Sequence, residues 1–505
     1  MLYKSKDVIE KSYEVIVVGG GLGGLTLANK MAKDGRSVLL LEAHNKLGGF
    51  ATWFRRMSDN VHDDAHFFDV SLHGFPVGMI KTCRKYWSKE IADRIHQLKS
   101  VRYINPQFNV ETDFTKEDFT NVLVEKFGVE KSTVDAFFTE LQNMNFYDNS
   151  TMTNRELFQK FFPNRNDITR FLLEPIVYAN GSNLEDPAIS YGIVFSNFMS
   201  KGVYIFQGGT DTMINMMKEE LLKNGVDIKL QTKVDRVLVD QVEVNGKKVN
   251  RVSGVEVKGH KIFSKAVVSN ANIKTTVQKM IGEEYFSSEF VEKTKAVRLN
   301  TSSCQVYMGL KKDETLPFIG DLIFTSIDHD FSTDLILSPL VGSQTYSVYY
   351  PETRPHLKDH YAIVSSSNAR YEDWKKLSLE EYEKQKAYLI ERALVGLEKI
   401  IPDIRNKIDH IEAATPLTVE RYTHHPMGTS FGTKFEGLPI SMNLHKEIDG
   451  AFHAGSVGII MSGWLGAANY GVIQAHEVDN YLTKLEKENN RNFSDTVSFE
   501  GESHV

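Results

Sequence analysis

Three glycines and one acid carry the first chemical signal in this chain. Gly19, Gly21 and Gly24 stand as G-x-G-x-x-G directly after the apolar run from Val15 to Val18. Glu42 closes a second apolar run, Val38 to Leu41, eighteen residues after Gly24. Gly19 allows the tight turn out of a strand, Gly21 lets the backbone approach a pyrophosphate, and Gly24 lets a helix pack close to the strand. That helix, with Leu22 and Gly23 in its first turn, offers unpaired N–H groups and a positive dipole end to the phosphates. A carboxylate at Glu42, followed by Ala43, accepts hydrogen bonds from both ribose hydroxyls of an adenosine and repels a 2′-phosphate. The chemistry is that of holding an adenine dinucleotide.

Three elements must stand in register to position these groups. Val15 to Val18 are β-formers, Leu25, Ala28 and Met31 give the intervening helix one apolar face, and Gly35 ends it. Val38 to Leu41 then forms the second strand, so the expected class is α/β with a parallel nucleotide-binding unit at its start.

The residues after Glu42 separate the dinucleotides. Lys46-Leu47-Gly48-Gly49, with Thr52 shortly after, resembles the second glycine pair of flavoproteins in the amine oxidase and phytoene desaturase superfamily. Lys46 stands where that family usually has arginine, which keeps the charge and loses the two-pronged geometry. Phe67-Phe68-Asp69-Val70-Ser71-Leu72-His73 resembles the FDVGLH segment of the retinol saturase and carotenoid isomerase branch, with Ser71 in place of glycine. By that resemblance His73 sits near the flavin ring or the substrate.

Two further blocks extend the likeness. Gly208-Gly209-Thr210-Asp211 opens a helix with an apolar face of Met213, Met216, Met217 and Leu221, and strands follow to Ala271. In the family, the residue equivalent to Val234 meets the adenine through its backbone. Near the end, a short strand closes on Gly455 and Ser456, and Ser462-Gly463-Trp464-Leu465 opens a helix running to about Leu482. In the family such a helix faces the flavin pyrimidine, and its dipole stabilises charge on the reduced ring. The resemblance thus implies a Rossmann-type FAD-binding domain of the glutathione reductase and amine oxidase kind, with non-covalent FAD. The implied cofactor domain comprises 1–90, 200–285 and 415–485. An inserted mixed-sheet and helical substrate domain comprises 90–200 and 285–415.

Composition bounds the remaining possibilities. The chain has 505 residues, 41% hydrophobic and 25% charged, with a net charge of −7, and no basic run that would track nucleic acid. Cys83 and Cys304 are the only cysteines, which excludes a disulfide framework, a CxxC pair or a cysteine zinc site. The charged opening segment lacks a signal-type apolar core, so a cytoplasmic chain is expected, with peripheral membrane contact left open. Residues 486–505 are polar and are expected as a disordered tail.

Outside the cofactor motifs, charged constellations are few. Leu157-Phe158, Phe161-Phe162 and the run Ile193 to Phe198 read as core or as tunnel lining, and Pro163, Pro175 and Pro187 are expected to break this region into short helices. Thr301 to Leu310 alternates like a half-buried strand, and a long helix begins at Ser378 with Glu381 completing a capping box. Arg421, Tyr422, His424 and His425 form the best polar cluster. Tyr422 and His425 are candidates to line the substrate end, and no third ligand is present to make a metal site.

Three functions compete. The first is hydride exchange between flavin N5 and a C=C bond of a long apolar isoprenoid or polyene, by desaturation, saturation or isomerisation, with a quinone, oxygen or protein as electron partner. The second is a flavin amine or amino-acid oxidase; such enzymes often carry a lysine where this chain reads Ser303 to Val306. The third is a flavin-free prenyl-protein binder of the same fold, like the Rab dissociation inhibitors, whose phosphate loop is degraded; all three glycines and Glu42 stand here.

Overall fold

The computed structural model describes residues 12–58, 65–71, 74–144, 151–199, 201–244, 246–354 and 360–500. Strand β1 (Tyr13–Val18) leads into helix α1 (Leu22–Lys33) and then strand β2 (Val38–Leu41). β1 is flanked on both edges by parallel partners, β2 on one side and His260–Ser269 on the other. This position accounts for its near-continuous apolar sequence, because a central parallel strand is covered on both faces. Asp227–Lys229 extends the sheet beyond β2. Lys247–Val257 and Arg236–Val244 extend it antiparallel beyond His260–Ser269, and Ala451–His453 also pairs with that strand. Three segments far apart in sequence therefore build one sheet.

A second sheet of seven strands lies beside a helical layer. Its helix α2 (Asn166–Asn180) is buried along most of its length, and Pro175 lies inside it rather than ending it. The lost N–H, whose partner would be Phe171 O, is tolerated in a helix packed on nearly all sides, and the next carbonyl, Leu172 O, accepts from the Tyr191 hydroxyl at 3.3 Å. The strands run in the order Ile408–Ala414, β3 (Ser302–Leu310), β6 (Ala362–Ala369), β5 (Ser343–Tyr349), β4 (Leu322–Ser326), Val101–Ile104 and Asn109–Thr112.

All nine residues of β3 are buried, where the alternation predicts one solvated face. The alternation is real, but both faces are covered. Cys304, Val306, Met308 and Leu310 pack in a core with Leu389, Ala393 and Leu397, while Ser303, Gln305 and Tyr307 face a cavity. The helix Leu379–Glu398 starts at Ser378 with the capping box to Glu381. Most aromatic residues of the helical layer are plain core; Phe158, Phe162, Phe171 and Phe195 are all buried in one apolar cluster.

Two features tie the halves together. Asp69 and Arg354 form a buried ion pair; Asp69 also accepts from Thr210 N at 3.0 Å, and Arg354 Nη1 donates to Phe67 O at 3.1 Å. Helix α3 (Gly463–Glu500) runs along α1, and a side chain at Gly471 would collide with Gly23 O. Arg36 reaches Asp479 at 2.9 Å and also Glu486, which carries α3 past Leu482. Residues 486–500 are accordingly helical backbone where the composition suggests a disordered tail, and 501–505 lie outside the described residues.

Candidate functional site

The site is one cavity of about 920 Å³ that runs from the end of β1 to the second sheet. At its nucleotide end the backbone does the shaping. Gly19 has φ +104, and Gly48 and Gly49 have φ +111 and +59, a region that favours glycine. A Cβ on Gly24 would strike Gly19 O, so this glycine lets α1 approach β1, and a Cβ on Gly21 would come within 2.9 Å of Asn270 Nδ2. Gly48 N donates to Gly20 O at 2.7 Å, which folds the second glycine pair back onto the first.

The Glu42 carboxylate is held at the end of β2 by Gly20 N at 2.6 Å and His44 N at 2.7 Å. Thr232 N donates to Glu42 O at 2.8 Å and Gln231 N to His44 O at 3.0 Å, which brings the buried Val234 to the same rim. Lys46 lies with its Nζ 3.0 Å from Trp53 O and 3.5 Å above the Trp53 ring, and burial together with Arg56 lowers its pKa. The Thr52 hydroxyl is buried with no partner. An orphaned hydroxyl, a glycine cradle and a fixed terminal carboxylate together fit a dinucleotide with a second half beyond the pyrophosphate.

The far wall of this end is the start of α3. Gly463 has φ +65, Trp464 packs its ring 5.6 Å from Phe75, and Ser462 Oγ donates to Ile459 O at 2.5 Å. Gly19, Gly21, Leu22, Gly23, Glu42, Ala43, Lys46, Gly48, Gly49, Thr52, Val234, Ser456, Gly463, Trp464 and Leu465 all line the cavity. Gly24 and Gly455 do not: their missing side chains would meet the backbone oxygens of Gly19 and Ala271, so both serve packing. His73 lies outside the described residues.

Tyr422 and His425 also line the cavity, but in different surroundings. Tyr422 is 53% exposed, edge-on to His44 at 6.0 Å, so it stands at the rim above β2 rather than at a buried substrate end. His425 is half-buried: its Nδ1 meets Thr429 O at 3.0 Å and its ring is 5.6 Å from Phe50. Burial lowers its pKa, so the imidazole is neutral and protonated at Nδ1. Among the described residues no group of three His, Cys, Asp or Glu could hold a metal.

Beyond the nucleotide end the cavity widens into a chamber. Phe114, Ile176, Ile193, Val194 and Phe198 line its helical side, and Leu322 and Phe324 of β4 continue the apolar lining. Sequence reasoning missed Asn270, whose Nδ2 donates to Gly19 O at 3.2 Å; a Ser-Asn pair closing the apolar run 266–268 was the available signal. It also missed the polar residues of β3, β5 and β6 that line the chamber, which no local motif marks.

A family model described as an NAD(P)-binding Rossmann-like domain matches residues 17–83. A chloroplastic prolycopene isomerase of Daucus carota is 25% identical, across 93% of this chain and 80% of that protein. An all-trans-retinol 13,14-reductase of Macaca fascicularis is 23% identical, across 85% of this chain and 78% of that protein. Among solved structures, an oxidoreductase from Methanosarcina mazei shares the fold with a TM-score of 0.63 at 14% identity, covering 92% of this chain and all (100%) of that one. The chain is thus homologous, along most of its length, to a prolycopene isomerase and an all-trans-retinol 13,14-reductase.

Proposed function

We propose that this chain binds FAD non-covalently and uses it on a C=C bond of a long apolar polyene or isoprenoid lipid, by desaturation, saturation or isomerisation. The observation that carries this reading is the continuous cavity joining the glycine cradle to the aromatic and aliphatic chamber. The names of the relatives, an isomerase of a lycopene and a reductase of a retinol, support the polyene class. Bound FAD would supply hydride exchange at the flavin ring.

The protein's own residues bind, orient and exclude water. Backbone at Gly19 and Gly21 meets the pyrophosphate, Glu42 accepts from the ribose, Val234 meets the adenine, and Thr52 gives its hydroxyl to the cofactor. The first turn of α3, with backbone N–H of Trp464 and Leu465, faces the flavin pyrimidine. The chamber orients an apolar chain against the ring and keeps it dry, which such chemistry needs more than an acid–base pair. The neutral His425 borders this space with Nε2 as an acceptor. With one dinucleotide fingerprint in the chain, the electron partner would be a quinone, oxygen or another protein. The substrate is taken from a membrane surface by weak contact; no described helix is long and apolar enough to cross a membrane.

The test is spectroscopic. The purified protein should show a flavin absorption band that shifts on titration with polyene or prenyl lipids and is released by denaturation. Rapid bleaching by benzylamine or an amino acid, with no response to lipids, would establish amine oxidation instead. A colourless protein that FAD does not restore would establish a flavin-free binder.

A further inference from the structure

We propose that the chamber wall on the second sheet recognises an oxygen function, so that the substrate is an alcohol or carbonyl derivative of an apolar chain rather than a bare hydrocarbon. This rests on the lipid reading above and narrows it. The wall is defined by register. Ser303 of β3 stands opposite Asn368 of β6, Gln305 opposite Ser366, and Thr345 of β5 opposite the same Ser366. Directly opposed residues share a sheet face, and all five line the cavity. Three strands thus present a continuous polar strip, while the alternate residues Cys304 and Val306 sit in the apolar core behind.

A buried polar strip is costly unless each group is paired. Part of it is paired internally: Gln305 Nε2 donates to Ser303 Oγ at 2.7 Å, Ser303 meets Ser430 at 2.8 Å, and Asn368 Nδ2 donates to Val177 O at 2.8 Å. Three groups at its edge are not. Thr345 Oγ1, and on the last turn of α2 Tyr178 OH and Asn180 Nδ2, are buried without a partner. These residues are only 1%, 7% and 3% exposed. Tyr178 and Thr345 lie together, since the Tyr178 ring is 5.8 Å from Phe324 and Phe324 is the register partner of Thr345, and Asn180 lines the same cavity.

The chemistry of the three selects the ligand. Burial holds the Tyr178 phenol far above its ordinary pKa, so it stays a donor. Asn180 offers an amide N–H and Thr345 a hydroxyl, so the ligand atom is an acceptor. The nearby Arg170 guanidinium is engaged by Gln107 at 2.8 Å and by the carbonyl oxygens of Asp328 and His329 at 3.0 and 3.1 Å. Arg170 keeps its Nε without a hydrogen-bond partner, and the three neutral donors fit a hydroxyl or carbonyl oxygen.

Binding to the flavin-loaded protein tests this, read by tryptophan fluorescence because Trp53 and Trp464 line the cavity. The probes are geranylgeraniol, geranylgeranial and the matching hydrocarbon. At least one oxygenated probe should bind about tenfold more tightly than the hydrocarbon, the worth of a buried neutral hydrogen bond. In Tyr178→Phe combined with Thr345→Val that ratio should fall severalfold, with hydrocarbon affinity unchanged and Asn180 left as the remaining donor. Removing unpaired hydroxyls at constant shape does not cost folding, and Thr345→Val alone should halve the preference or more. Equal binding of all three probes by the unmodified protein, or a ratio that survives both substitutions, overturns the proposal and leaves the lipid reading standing. Binding of none of them overturns the lipid reading and this proposal with it.

Discussion

The two ends of the cavity are built from different material. At the nucleotide end the contacts are backbone contacts: Gly20 N and His44 N fix Glu42, and Gly48 N folds back to Gly20 O. The glycines there leave no room for a side chain, because the space of a Cβ on Gly23 or Gly24 is already held by a carbonyl oxygen. At the chamber end the backbone is ordinary helix and strand, and the lining consists of side chains such as Ile176, Phe198, Phe324 and Thr345. One end therefore answers to substitution in an all-or-none way, and the other by degrees. A protein built so can change what it acts on while the cofactor grip stays fixed.

Substitutions can break or sharpen this contrast. The largest effect belongs to Gly24→Val, which drives a branched side chain into Gly19 O; loss of the cooperative thermal transition is expected. A stably folded Gly24→Val protein would show that the strand-to-helix packing is less tight than described. Next comes Glu42→Arg, which removes an acceptor for two ribose hydroxyls. FAD affinity measured on the apoprotein should fall about a hundredfold or more, from two charge-assisted hydrogen bonds. Full flavin occupancy after purification of this variant would refute the ribose assignment.

The third prediction concerns the chamber side. Burial pushes the pKa of Glu174 up from 4.5 to about 7, against the opposing pull of Arg170. Its folded pKa lies above its unfolded one, so its stabilising contribution is present at low pH and is lost as pH rises through about 7. Between pH 4.5 and 7 this group should cost about 3 kcal/mol of stability. Glu174→Gln should flatten that decline in urea unfolding at pH 5 and pH 8; an unchanged slope would show that the carboxyl ionises freely. The smallest effect is expected for Tyr422→Phe, whose side chain is half in solvent, with turnover changed less than about twofold. A large loss there would move the reactive part of the cavity to its rim.

The same contrast explains what could be read from the residues alone. The glycine cradle, Glu42 and the flanking strands are local: each constraint acts within a few positions, and G-x-G-x-x-G with its strand and helix states it directly. The chamber is assembled by register. Ser303, Thr345 and Ser366 become neighbours only when β3, β5 and β6 pair, and a run such as Ser365-Ser366-Ser367 reads as loop composition although it is a fully buried strand. Tyr422 and His425 show the reverse failure. They are three positions apart, but His424 and Met427 take left-handed backbone conformations, with φ +56 and +54, and Tyr422 ends in solvent while His425 is half-buried. Pro175 was legible as a helix breaker and is not one, since a helix packed on nearly all sides tolerates the lost N–H.

The seam between α1 and α3, where Gly471 closes on Gly23, sets a schedule for synthesis. The ribosome makes the glycine cradle long before the helix that closes it. At roughly 5–20 residues per second the two are separated by on the order of half a minute. For about the first half of that interval the first βαβ unit also waits for its central neighbour, His260–Ser269. The nascent chain therefore carries an open sheet edge and an uncovered apolar helix face, which chaperones recognise and aggregates exploit. On the proposed reading, FAD would be captured only after the closing helix α3 is made.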